Sequence, residues 1–133
     1  MLDRGRLMTL YQITPFMRVP DFEAGKRFFV EVLGFTADFE LPNYCYLCRD
    51  RAAIRMMGNT EEDFAPPGNR RYAHYVDVAD VDALYAELKP RLDRLPPDDV
   101  FGPCDQPYRQ REFGVIGPDG NWFVFGQDIR DRA

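Results

Sequence analysis

Residues 19–24 read "VPDFEA" and residues 78–83 read "VADVDA". Set one above the other, they share Val, Asp, an apolar residue, an acidic residue and Ala in register, 59 positions apart, which marks an internal repeat. In each copy an aspartate, Asp21 or Asp80, follows a strand-like segment. It stands where a carboxylate accepts the first free N–H groups of a helix. After Asp21, Phe22, Phe28, Phe29, Val32 and Leu33 fall largely on one helical side, and Gly34 is a suitable terminator. After Asp80, Val81, Leu84, Leu88 and Leu92 do the same, and Pro90 implies a kink or an end near Lys89.

Strand signals follow each helix. In the first copy they are about Thr36–Glu40, Tyr44–Cys48 and Ala52–Met57, with a turn at Arg49-Asp50-Arg51. In the second they are about Val100–Cys104, Tyr108–Ile116 and Asn121–Gly126, with "GPDG", residues 117–120, as the last turn. The pattern is βαβββ, twice: module one about 9–58, module two about 72–127, and a polar, Gly- and Pro-rich linker at about 59–71. The fold class expected is α+β, one domain in which two four-stranded sheets, each covered by a helix on one face, lie side by side around a shared groove. The long linker also permits two chains to exchange modules.

Composition narrows the function. The 133 residues are 45% hydrophobic and suit a single compact unit. No run approaches the roughly 18 apolar residues of a membrane helix, and "MLDRGRLMTLYQITPF" lacks a signal-peptide centre, so a soluble cytoplasmic protein is expected, with Met8 an alternative start. With 22 acidic and 17 basic residues the net charge is −5, which repels a phosphate backbone; nucleic acid is not an expected partner.

Cys45, Cys48 and Cys104 are too few, and odd in number, for a disulfide framework. Cys45 and Cys48 form a C-x-x-C inside "NYCYLCRD", but three residues along a strand reverse the face, so the thiols do not converge on zinc. The single histidine, His74, shares a strand face with Val76 and Val78 and is expected to pack beneath the helices; Ala73, Tyr75 and Asp77 share the other face.

"VPDFEAGKRFFVEVLGF", "VADVDALYAEL" and "QPYRQREFGVIGPDGNWFVF" together resemble the vicinal-oxygen-chelate superfamily of glyoxalases, extradiol dioxygenases and bleomycin-resistance proteins. The ordered Gln-Pro-aromatic, Arg-Glu-Phe and Pro-x-Gly-Asn pieces are most similar to the bleomycin-resistance proteins. The resemblance implies two βαβββ modules forming an open, cupped mixed sheet with helices on the outside, in a homodimer. It also implies metal ligands, in the metal-dependent members, at positions that here are Thr14, Ala73 and Val124. None of the three is a usual ligand, so neither a metal nor another cofactor is expected.

On that frame, alternation directs Thr14, Phe16, Arg18, Tyr75, Asp77, Trp122 and Val124 into the groove. The resemblance adds Asp38, Tyr44 and Tyr108. Phe22, Phe28, Phe29, Phe123 and Phe125 are assigned to packing. The expected function is metal-independent sequestration of a planar ligand, cationic or neutral, such as a bleomycin-type antibiotic, since flat aromatic rings stack on heterocycles and hold cations. Arg109, where the resembled proteins commonly have glycine, puts a cation near that site. The competing expectation is a metal-dependent lyase or dioxygenase using Glu112, His74 or Asp77 as ligands. A third is a vestigial groove in a protein that acts only through subunit contacts.

Overall fold

A computed structural model describes residues 9, 11–58, 73–117 and 120–130. The linker, Met8, and Pro118 and Asp119 of the last turn lie outside the described residues. Module one comprises β1 (Phe16–Val19), α1 (Phe22–Arg27, prolonged by a π-helical turn over Phe28–Val32), β2 (Thr36–Leu41), β3 (Tyr44–Arg49) and β4 (Ala52–Gly58). Module two comprises β5 (Ala73–Asp77), α2 (Val81–Leu92), β6 (Val100–Gln106), β7 (Gln110–Ile116) and β8 (Trp122–Asp128). Both sheets have the same topology, β1-β4-β3-β2 and β5-β8-β7-β6, with the first and last strands of each module parallel and the other pairs antiparallel. The repeat is therefore structural, and the α+β class of two βαβββ modules holds.

The two aspartates cap as their positions require. Asp21 Oδ1 accepts the Ala24 N–H at 3.0 Å, and Asp80 Oδ1 accepts the Ala83 N–H at 3.1 Å. Each satisfies one orphan donor at the point where the chain leaves the sheet. The end of α1 widens into a π-turn: the Leu33 N–H reaches back to Phe28 O at 3.2 Å, and Gly34, at φ 76°, ends the helix. Phe29 and Leu33, four residues apart, are both buried. Burying each side chain contributes roughly 1.5–3 kcal/mol.

Two expectations about element ends are corrected. α2 does not stop near Lys89 but runs through Pro90 to Leu92. Proline there removes the N–H that would bond to the carbonyl of exposed Ala86 and crowds that carbonyl, but burial of Leu88 and Leu92 holds the last turn to the core. β7 begins at Gln110 rather than Tyr108, because Pro107, Tyr108 and Arg109 form a turn closed by the Arg109 N–H on Gln106 O at 3.1 Å.

One apolar cluster takes residues from both modules, including Met17, Phe29 and Met56 from the first and Leu88, Phe113 and Phe125 from the second. Phe123 is the junction: its ring lies 5.2 Å from Phe29 and 6.2 Å from Phe28. At the rim, Arg49 donates to Leu33 O at 3.0 Å and to Glu87 of α2 at 2.8 Å. The helices thus cover one face of each sheet. The opposite faces stay open, with Phe16 67% and Tyr108 58% exposed.

Candidate ligand-binding face

The open face of module two is set by strand parity and cross-strand register. Tyr75 sits opposite Val124, Gly126 opposite both Asp77 and Glu112, and Gly114 opposite Val124. Side chains at these positions share one face. Two of them are glycines, and each leaves room for an aromatic ring lying across the sheet. A Cβ on Gly126 would overlap the Tyr75 phenol, and one on Gly114 would overlap the Phe101 ring. Phe101 in turn lies 5.6 Å from Trp122. The face is thereby paved by Tyr75, Phe101, Tyr108 and Trp122.

Beneath the two tyrosines lies Glu112, 5% exposed. Tyr75 Oη donates to Glu112 Oε1 at 3.0 Å, and Tyr108 Oη donates to Glu112 Oε2 at 2.8 Å. Gln110 Oε1 is a more distant neighbour of the Tyr75 hydroxyl, at 3.4 Å. Both oxygens of Glu112 accept, which is the role of an ionised carboxylate. Desolvation, and then the bond to Glu112, hold the Tyr75 phenol well above the ordinary tyrosine value. The Tyr108 phenol is raised chiefly by its bond to Glu112. Both rings therefore stay protonated through the physiological range.

The neighbours of Glu112 in the Arg-Glu-Phe run take the other side. Arg111 donates to Asp82, in the first turn of α2, at 2.9 Å and to Asp105 at 3.0 Å. Phe113 stacks on Phe125 in the core at 5.1 Å. Arg109 holds φ 65°, the left-handed conformation that glycine adopts without strain, and its carbonyl accepts the Ile129 N–H at 3.1 Å, tying the Tyr108 turn to the end of β8.

Module one presents a different face. Arg55, in register with Phe16, donates through Nε to Thr14 Oγ1 at 2.7 Å and through Nη1 to Tyr44 Oη at 2.8 Å. Its guanidinium lies over the Tyr46 ring at 5.0 Å. Phe39 packs at 6.3 Å from Tyr44. Asp38 is exposed in the bulge between Ala37 and Phe39, and Arg18 is exposed on β1.

Of the residues expected from sequence, Tyr75 and Tyr108 come together on Glu112, with Trp122 and Asp77 on the same sheet. Thr14, Phe16, Arg18, Asp38 and Tyr44 lie on the other sheet. Sequence reasoning did not single out Arg55, Phe101, Gly114 or Gly126, and treated Glu112 only as a metal ligand. The signal for the glycines was their position inside strand patterns, which points to a close approach. Nothing in the linear sequence says which ring approaches.

His74 lies on the opposite side of β5 from Tyr75. Its ring stacks on Phe123 at 4.9 Å, Nδ1 is 3.4 Å from Trp122 O, and burial lowers its pKa. It lines a crevice of about 790 Å³ between β5, α2 and the β3–β4 turn, floored by Leu33, Phe35, Val76 and Leu88, whose lining also takes in Tyr75 and Asp77. His74 therefore does not share a face with Glu112 or Asp77.

The three family metal positions do not fit a divalent ion. Ala73 and Val124 carry no donor atom, and Thr14 Oγ1 already accepts from a guanidinium that would repel a metal cation. Among the described residues, no group of three or more His, Cys, Asp or Glu side chains is placed to hold an ion. Cys45, Cys48 and Cys104 are unpaired thiols, buried, half-buried and exposed respectively. No helix among the described residues is long and apolar enough to cross a membrane.

The repeat, the topology and the open sheets define a family: residues 9–125 match the glyoxalase/bleomycin resistance protein/dioxygenase superfamily, and the chain belongs to it. No protein of curated function matches it in sequence. Among solved structures it is similar to the bleomycin-binding protein of bleomycin-producing Streptomyces verticillus, complexed with copper(II)-bleomycin. The two are 24% identical over 90% of this chain and 97% of that one, with a TM-score of 0.69. It is also similar to the bleomycin resistance determinant encoded on transposon Tn5, at 19% identity over 90% and 98% of the two chains and a TM-score of 0.72. A lactoylglutathione lyase from Agrobacterium tumefaciens shares the fold too, at 17% identity over 90% and 96%, TM-score 0.67. At these identities the likeness establishes the fold, and binders and an enzyme share it.

Proposed function

We propose that this protein binds a planar small molecule, of the kind represented by bleomycin-type antibiotics, without a metal and without chemical transformation. The observation that carries this is the aromatic face of module two, where Tyr75 and Tyr108 close over Glu112, Phe101 and Trp122 pair further along the same sheet, and two glycines leave room for the rings to lie across it. Exposed rings of this kind stack on a planar ligand, and each such contact contributes about 0.5–1.5 kcal/mol beyond area burial. The bleomycin- and antibiotic-binding structures of the same fold support this choice of ligand class.

The groove forms between two copies of the chain, in a homodimer. A flat face this exposed buries little of a ligand alone, whereas drug-sized sites enclose most of the ligand surface. The module one face, with Arg55, Phe16, Phe39 and Tyr44, supplies the second wall, whether or not the modules are exchanged. Trp122 is the only tryptophan, so its fluorescence reports directly on the face. Titration with metal-free bleomycin is expected to give a saturable change at micromolar drug, and sedimentation a dimer. A flat titration up to millimolar drug removes that ligand. Stoichiometric metal that is retained through purification, and lost on replacing Glu112, would overturn the metal-free reading.

A further inference from the structure

We infer that Glu112 draws both phenol protons of the module two face inward and leaves their oxygens as outward-facing acceptors, so that the ligand group seated on them is an N–H donor cation, an ammonium or guanidinium, and not a carboxylate or phosphate. This deepens the binding proposal and rests on it.

The inference follows from counting protons. A tyrosine hydroxyl has one proton to give and two lone pairs to offer. Tyr75 and Tyr108 each commit that proton to one oxygen of Glu112, at 3.0 and 2.8 Å. What remains on the outward side of each phenol is lone-pair density, polarised by the carboxylate behind it. Neither hydroxyl can turn its proton outward without leaving a buried carboxylate oxygen short of a donor, which is costly. Tyr75 cannot move inward either, since its ring already lies against the glycine at position 126. An arriving anion therefore meets oxygen lone pairs and a like charge. An arriving ammonium or guanidinium meets two oriented acceptors and a buried countercharge.

The polarity is specific to this face. On module one the corresponding layer is built on Arg55, whose guanidinium donates to Tyr44 Oη and Thr14 Oγ1. There the tyrosine oxygen is the acceptor and its proton is left to point outward. The two faces thus have opposite hydrogen-bonding sense, and only module two selects a donor cation.

The test uses three probes with one aromatic body: 2-naphthylmethylammonium, its N,N,N-trimethyl analogue and 2-naphthylacetate, each titrated by Trp122 fluorescence and calorimetry. The ammonium is expected to bind at least tenfold more tightly than the carboxylate and at least threefold more tightly than the trimethyl form, which keeps the charge but has no N–H. In Glu112→Gln the amide NH₂ must donate to one phenol, which then turns its proton outward. The ammonium preference over carboxylate should fall at least tenfold, and ammonium should lose more affinity than the trimethyl probe. Equal binding of all three probes, or equal losses for the ammonium and trimethyl forms in Glu112→Gln, overturns the inference while leaving the binding proposal standing. No saturable binding of any probe overturns both.

Discussion

Replacing Gly126 with alanine puts a methyl group where the Tyr75 ring now lies. An ideal Cβ there would sit 2.5 Å from Tyr75 Cζ and 2.8 Å from Cε2, about 1 Å inside ordinary carbon contact. Gly126 does not have a positive φ, so alanine is compatible with its backbone and the clash is the whole of the steric cost. Because Tyr75 is 45% exposed, its ring escapes outward and the sheet does not spread. The escape breaks the phenol–carboxylate bond. Bonds to charged groups contribute roughly 1.5–3 kcal/mol, and water reaching this half-exposed phenol places the loss at the low end. Against that, Gly→Ala gains about 0.4–1 kcal/mol by restricting the unfolded chain. The net is a destabilisation of about 1 kcal/mol, or about 3–4 °C in Tm for a chain of this size. In a Tyr75→Ala background the clash and the bond are both absent, so Gly126→Ala should become neutral or stabilising. Urea unfolding of the four proteins of this cycle measures a coupling of about 1–2 kcal/mol. The same cost in both backgrounds would refute the placement of Tyr75 across Gly126.

Three further outcomes follow from the geometry. Asp21→Ala and Asp80→Ala should each cost about 1 kcal/mol in chemical unfolding, and the asparagine variants much less, since Asn caps nearly as well as Asp. Arg109→Gly should raise stability by about 0.5–1 kcal/mol, as relief of left-handed strain exceeds the added entropy of the unfolded chain; a loss in the same assay would show that the Arg109 side chain outweighs its backbone. The Tyr75 phenol is raised in the folded state, so its contribution is fully present below the ordinary tyrosine pKa of about 10 and is lost as pH rises above it, when only the unfolded chain ionises. Unfolding free energies between pH 8 and 11.5 should therefore fall more steeply for the wild type than for Tyr75→Phe, and parallel curves would count against this placement of the phenol.

The fold was readable because its determinants are local. A capping aspartate, a helical stripe of Phe29 and Leu33, and the alternation around Cys45 and Leu47 all act within a few residues, and the spacing of "VPDFEA" and "VADVDA" makes the second module a copy of the first. The same locality explains the two misplaced ends. Pro90 carries a breaker's signal that burial of Leu92 overrides, and Tyr108 has strand propensity but belongs to a turn whose register is set by β8.

By itself, the sequence determined the two βαβββ modules, the faces on which Tyr75 and His74 lie, and the lack of donor side chains at Ala73 and Val124. Those follow from residue identity and a period of two. Only the tertiary structure decided that Glu112, Tyr75, Tyr108 and Gly126 meet. They come from three different strands and a turn, and their meeting depends on the register between β5, β8 and β7, which no single strand encodes. A glutamate read along the chain is a charge of unknown partner. Placed opposite Gly126 and beneath two phenols, it orients both hydroxyls and so sets the polarity of the face.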